Sequence, residues 1–183
     1  MDDIQAIRRL KDGDIGGLEY LVVRYQAKAV RTAFLIVHDE QLAQDIAQDA
    51  FLCIYKRIHQ FDESRPFEPY LLRSVVNAAL NATQKAARHI SFEIDPEGVE
   101  SLLSQAASVE SEVEYIQLKQ RLVSALSRLA PRQRAAIIQR YYLDMSEKEI
   151  ALALDAPPGT VKWLLNAART KLRELLGAEG SAE

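Results

Sequence analysis

The polar side chains best placed to do chemistry lie on three helical faces, and the chemistry is recognition rather than bond making. Near the carboxy-terminal end, Lys162, Asn166, Arg169 and Arg173 recur at steps of 4, 3 and 4 residues, opposite a stripe of Val161, Leu165, Ala168 and Leu172. Cations neutralise phosphate and an amide reads base edges, so this is a candidate DNA-facing surface. In mid-chain, Tyr70, Arg73, Asn77, Asn81, Gln84, Lys85 and Arg88 share one face opposite Phe67, Leu71, Val75, Ala78 and Ala82. An aromatic that stacks, amides that bond base edges and cations for phosphate together suit single-stranded nucleic acid. The polar segment His59 to Pro66 just before it is a further candidate reader. A third face carries Asp45, Gln48, Asp49, Leu52 and Lys56, opposite Ala43, Ile46, Ala47, Ala50, Phe51, Ile54 and Ile58. Its outward leucine among carboxylates suits protein docking. A merely solvated helix presents the same patterns, so the faces alone leave both readings open.

Catalysis finds no support. His38, His59 and His89 are scattered, Cys53 lies within a helical pattern, and no glycine-rich phosphate loop occurs. No two histidines or cysteines have metal-ligand spacing, so neither a metal nor a cofactor is expected. A single cysteine excludes an internal disulfide. With no amino-terminal signal pattern and no long apolar run, the expectation is a cytoplasmic chain without membrane insertion.

The elements that must hold these faces are helices. Ala, Leu, Gln, Glu, Arg and Lys dominate the 183 residues, while glycines number 7 and prolines 6. Ser146 can cap a helix with Glu149 reaching back to it, and Pro157-Pro158-Gly159 ends that helix before the basic one begins. The pair reads as a helix-turn-helix. Upstream, helices are expected over Asp3 to Leu10, Ile15 to Val37, Asp39 to Ile58, from Phe67 onward, Tyr115 to Leu129 and Arg132 to Leu143, with Gly177 as the final stop.

The net charge of -3 hides an uneven distribution. Residues 1–86 carry 11 basic and 12 acidic side chains, residues 87–117 carry 1 and 7, and residues 118–183 carry 11 and 7. The fold expected is therefore all-α: two small helical domains, 1–89 and 115–177, joined by an acidic linker, 90–114, with a disordered tail, 178–183.

The order of parts resembles the extracytoplasmic-function group of bacterial RNA polymerase sigma factors. The more specific half runs through Leu126-Ser127-Arg128-Leu129-Ala130-Pro131-Arg132-Gln133-Arg134, Arg140-Tyr141, Ser146, Glu149-Ile150-Ala151, Gly159-Thr160-Val161-Lys162 and Ala168 to Leu176. The looser half is Ala43, Asp45, Gln48-Asp49, Phe51-Leu52, Phe61-Asp62, Phe67, Leu71, Arg73 and Asn77 to Leu80. The resemblance implies sigma region 2 and region 4, with core polymerase, promoter DNA and an anti-sigma factor as partners and a monomer when free of them. Asp45, Gln48, Asp49 and Leu52 would then dock on polymerase. His59, Gln60, Arg65, Tyr70, Arg73, Asn77 and Asn81 would read and help melt the minus-10 element. Thr160, Lys162, Trp163, Asn166, Arg169 and Arg173 would face the minus-35 element.

The chain departs from the family's usual residues. Val76, Gln84, Leu164 and Ala167 stand where cations are frequent, Trp163 where a small polar residue is common, and Asp155 where a turn glycine is usual. These losses imply weak DNA binding by the isolated chain. They leave open a sigma-like mimic with weakened DNA recognition, and an ordinary helix-turn-helix regulator is the other alternative.

Overall fold

The computed structural model describes residues 1–86 and 112–179, which form eight α-helices and a short 3-10 turn, with no strand among the described residues. The helices are α1 (Asp3–Lys11), α2 (Gly16–Val37), α3 (Glu40–Arg57), α4 (Phe67–Ala86), α5 (Glu112–Ser127), α6 (Pro131–Tyr141), α7 (Glu147–Ala153) and α8 (Pro158–Glu179). The 3-10 turn, Ile58–Gln60, leads from α3 into the loop before α4.

Local chemistry fixes the boundaries. Asp2 and Gln5 cap α1 reciprocally, the Asp2 carboxylate accepting from the Gln5 amide at 2.8 Å. The Asp39 carboxylate accepts from the Leu42 amide at 2.8 Å to start α3. Pro131 opens α6, where its missing amide donor costs nothing.

α2 is the axis of the amino-terminal half, packing against α1, α3 and α4. Its approach to α1 is close enough to require glycine: a Cβ on Gly17 would stand 2.2 Å from the Ala6 carbonyl oxygen. In the carboxy-terminal half, α8 is gripped by α5, α6 and α7. The halves also meet, α2 touching α5 and α6, and α4 touching α6 and α7.

Two expectations need adjusting, and one lies partly out of reach. α8 runs through Gly177 to Glu179, because this glycine does not take the left-handed conformation that terminates helices. α5 begins at Glu112, inside the span expected to be linker. Residues 87–111 and 180–183, which hold the rest of the acidic linker and the tail, lie outside the described residues, as does Arg88 of the mid-chain polar face.

α4 departs further from its sequence pattern. Besides the expected core stripe it buries Leu72, Val76, Ala79 and Leu80, none more than 8% exposed. At 100° per residue these four form a second apolar stripe between the core stripe and the polar face. Leu72 lines a cleft with Leu143, Asp144, Met145 and Glu149, so at this residue the stripe meets the carboxy-terminal half.

His38 ends α2 in the left-handed region, at φ 56°, with both ring nitrogens buried and unbonded among the described residues. Burial, with the nearby Arg134 charge, lowers its pKa to about 3. The unfolded imidazole takes a proton near pH 6.5 and the folded one does not, so this contribution is complete above that pH and fades as pH falls. Urea denaturation is expected to show about 2 kcal/mol less stability at pH 5 than at pH 7, a loss that His38→Gln removes. Identical pH profiles for the two proteins contradict that account.

Candidate nucleic-acid interface

The helix-turn-helix is built by short-range bonds. Ser146 Oγ accepts from the Glu149 amide at 3.3 Å while the Glu149 carboxylate accepts from the Ser146 amide at 2.8 Å. The Ser146 hydroxyl, which donates to the Glu149 carboxylate at 2.7 Å, and then the Ser146 amide hold the Glu149 carboxyl below its ordinary value. α7 then closes on Asp155 at φ 46°, the Ala156 amide donating to the Ala151 carbonyl at 3.0 Å. This is a Schellman-type stop with aspartate in the place glycine usually takes, tolerable because Asp enters the left-handed region more readily than most residues. Arg132 adds a cap from α6, donating to the Leu154 carbonyl at 2.9 Å. Ser146→Ala is expected to lower stability by about 1 kcal/mol, checked by the thermal midpoint of the full chain. No change there means the cap is redundant.

On α8, Thr160, Lys162, Trp163, Asn166 and Arg173 are exposed, and Trp163 presents 62% of its surface. Arg169 is half-buried. Its guanidinium lies 5.8 Å from the Tyr141 ring centroid, and it donates to the Tyr141 hydroxyl at 2.8 Å and the Asn166 side-chain oxygen at 3.2 Å. The structure thus brings five of the six expected residues to one open surface and holds the sixth against α6. Leu164 is in the core at 5% exposure, so the cation absent there has no open surface to occupy in this arrangement.

The mid-chain face is also displayed. Arg73, Asn77, Asn81, Gln84 and Lys85 are exposed along α4. Tyr70 is half-buried instead, its ring tilted at 5.0 Å from Phe61, which in turn meets Phe67 at 5.9 Å. Its stacking on Phe61 ties the face to the preceding loop, where His59, Gln60 and Arg65 are exposed.

That loop is held from a distance. Glu63 accepts from Arg8 at 2.8 Å and from Lys11 at 2.9 Å, and Lys11 also donates to the Phe61 carbonyl at 3.0 Å. Within it, the Asp62 carboxylate accepts from the Ser64 amide at 3.0 Å and the Ser64 hydroxyl at 2.7 Å. α1 therefore shapes the candidate minus-10 surface, a role its own sequence gives no sign of. Nor does any local pattern foretell that Tyr141 engages Arg169, 28 residues away.

On α3, Asp45, Gln48, Asp49 and Leu52 are all exposed, and Leu52 is 44% so. Gln48, Phe51 and Leu52 border a groove against Leu18, Val22 and Val30 of α2. Its lining is apolar apart from Gln26, Gln44 and Gln48, a surface suited to a helical protein partner.

Two family models span most of the chain: sigma-70 region 2 matches residues 21–89, and sigma-70 region 4 matches residues 119–172. The RNA polymerase sigma-E factor of Streptomyces avermitilis is 32% identical over 164 residues, covering 90% of this chain and 87% of that protein. The chain belongs to the sigma-70 family. The extracytoplasmic-function sigma factor SigW of Bacillus subtilis is 27% identical to this sigma factor over 178 residues, 94% of this chain and 95% of SigW. Solved structures share the fold. The sigma factor RpoE of Bartonella quintana, determined with the anti-sigma factor NepR, matches at TM-score 0.66 and 21% identity over 87% of this chain and 96% of that one. CnrH, determined with the cytosolic domain of CnrY, matches at TM-score 0.66 and 22% identity over 96% and 97%. This sigma factor is accordingly an alternative specificity subunit for RNA polymerase, acting in promoter recognition and not as an enzyme. No described helix is long and apolar enough to cross a membrane.

Proposed function

We propose that this sigma factor docks on core RNA polymerase through α3 and grips a promoter at two places. Asp45, Gln48, Asp49 and Leu52 form the polymerase surface. His59, Gln60, Arg65, Tyr70, Arg73, Asn77 and Asn81 engage and open the minus-10 element. Thr160, Lys162, Trp163, Asn166, Arg169 and Arg173 face the minus-35 element. Residues 1–89 and 115–177 act as the two functional units, and 90–114 spans them along the polymerase. The observation that carries this reading is the display of polar nucleic-acid faces on both α4 and α8 in a chain that also exposes Leu52 among carboxylates on α3.

The chain works where polymerase is, in the cytoplasm, and is a monomer when free. An anti-sigma factor is its natural inhibitor. We assign that partner the apolar groove between the halves lined by Leu35, Leu118, Leu122, Leu126 and Leu172, in which Leu118 is 57% exposed.

Transcription with purified core polymerase and mapped start sites tests the reading. Start sites preceded by two common elements support it. Polymerase binding without initiation favours the sigma-like mimic, for which the exposed Trp163 and the buried Val76 and Leu164 speak. Failure to bind polymerase overturns the docking assignment.

A further inference from the structure

We propose that Tyr141 and Arg169 are positioning residues for minus-35 recognition: they hold the Asn166 side chain so that it offers only donors, which selects guanine at the base position it meets. This rests on the assignment of α8 to the minus-35 element above.

The three residues form one chain of contacts. Tyr141 closes α6 and is 62% exposed, while Arg169 follows Asn166 by three residues, about one turn along α8. The Arg169 guanidinium lies 5.8 Å from the Tyr141 ring centroid, and its Nε donates to the Tyr141 hydroxyl at 2.8 Å. A terminal nitrogen donates to Asn166 Oδ1 at 3.2 Å. Ring and hydroxyl together keep the guanidinium beside α6, so it cannot swing out to DNA without giving up both contacts.

Chemistry fixes the direction of the last bond. A guanidinium has five N–H groups and no acceptor, so the end of the Asn166 amide that faces it must be the oxygen. The amide nitrogen is thereby turned the other way. At 100° per residue, Trp163, Asn166 and Thr170 lie within about 30° of the point opposite the buried Val161, Leu164, Leu165 and Ala168, and Arg169 lies about 90° to the side. All three central residues are exposed. The two N–H donors of Asn166 are therefore left to the middle of the open surface.

That orientation decides between bases. In the major groove an unconstrained asparagine pairs best with adenine, its oxygen accepting from N6 and its nitrogen donating to N7, which needs both ends of the amide turned to the base. Here the oxygen is drawn aside to Arg169. Two outward donors instead match guanine, whose O6 and N7 both accept, whereas cytosine presents only a donor and is refused. Arg169 thus acts through Asn166 and adds no phosphate contact of its own.

Transcription by the full chain on core polymerase, from promoters in which each minus-35 position carries each of the four bases in turn, reads the preference directly. Wild type is expected to favour guanine over adenine about tenfold at one position, and Asn166→Ala to erase that preference. Arg169→Met, which frees the amide oxygen, should bring adenine level with guanine there. Tyr141→Phe, which keeps the ring and loses the hydroxyl, should move the ratio the same way by about threefold. Neither variant should alter the salt dependence of promoter binding, where loss of a phosphate contact would flatten the slope by about 0.9 units. Circular dichroism checks folding, and if Arg169→Met is unfolded, Tyr141→Phe at its exposed site carries the test. A guanine preference that the folded variants keep overturns the proposal, as does adenine preferred by wild type at the position Asn166 reads. So does a flattened slope in Arg169→Met with the bases ranked as before. If Asn166→Ala changes no preference, the assignment of α8 falls and the proposal with it. A preference that needs Asn166 but neither Arg169 nor Tyr141 removes the positioning alone and leaves recognition by α8 standing.

Discussion

Alanine at both Lys162 and Asn166 should reduce initiation about a hundredfold at a promoter with an intact minus-35 element, and only about tenfold, the share owed to the lysine's phosphate contact, where that element is scrambled. Both residues are exposed on α8, while Val161, Leu165 and Ala168 hold the helix from behind, so the substitutions leave the fold alone. A good base contact is worth about 1 to 3 kcal/mol, and a lysine on phosphate adds affinity without sequence preference. The two can be separated. Lys162→Ala alone should weaken all promoters and flatten the salt dependence by about one unit of slope, whereas Asn166→Ala alone should relax preference at one base position. Equal losses on intact and scrambled elements would place minus-35 reading elsewhere.

Gly17→Ala should be among the most damaging single changes. Alanine in an exposed helix normally stabilises by about 1 kcal/mol over glycine. Here the added methyl meets the Ala6 carbonyl oxygen at 2.2 Å and the Leu10 amide nitrogen at 3.0 Å, both main-chain atoms that cannot swing aside. α1 must shift away from α2, and a net loss of about 3 kcal/mol is expected, read from the urea midpoint. The damage should also reach function, because Arg8 and Lys11 of α1 hold Glu63 in the loop before α4. Opening of the minus-10 element should suffer before polymerase binding does, as α3 has no such tie to α1. A variant as stable as wild type would mean that the two helices can separate at no cost.

Much of the carboxy-terminal half could be read in the sequence, because its determinants are local. A serine and a glutamate three residues apart cap α7, an aspartate and two prolines shape the turn, and alternating stripes fix the outward side of α8. The three displayed faces follow from helical spacing for the same reason. What sequence conceals here is whatever a distant element supplies. Leu72 looks like ordinary variation on α4 until the segment Leu143 to Met145 comes up beside it. Arg134 sits in a run of basic residues with nothing to single it out, although its acceptor at Ile36 lies 98 residues away. Tyr70 and Arg169 show the same effect in reverse: each lies on the expected face, yet Phe61 and Tyr141 turn them partly inward.

The ties from α1 to Glu63 have a consequence for ionic conditions. Arg8 and Lys11 reach Glu63 near the surface, where added salt screens charge, so the loop before α4 should loosen as salt rises while the apolar packing of α1 on α2 holds.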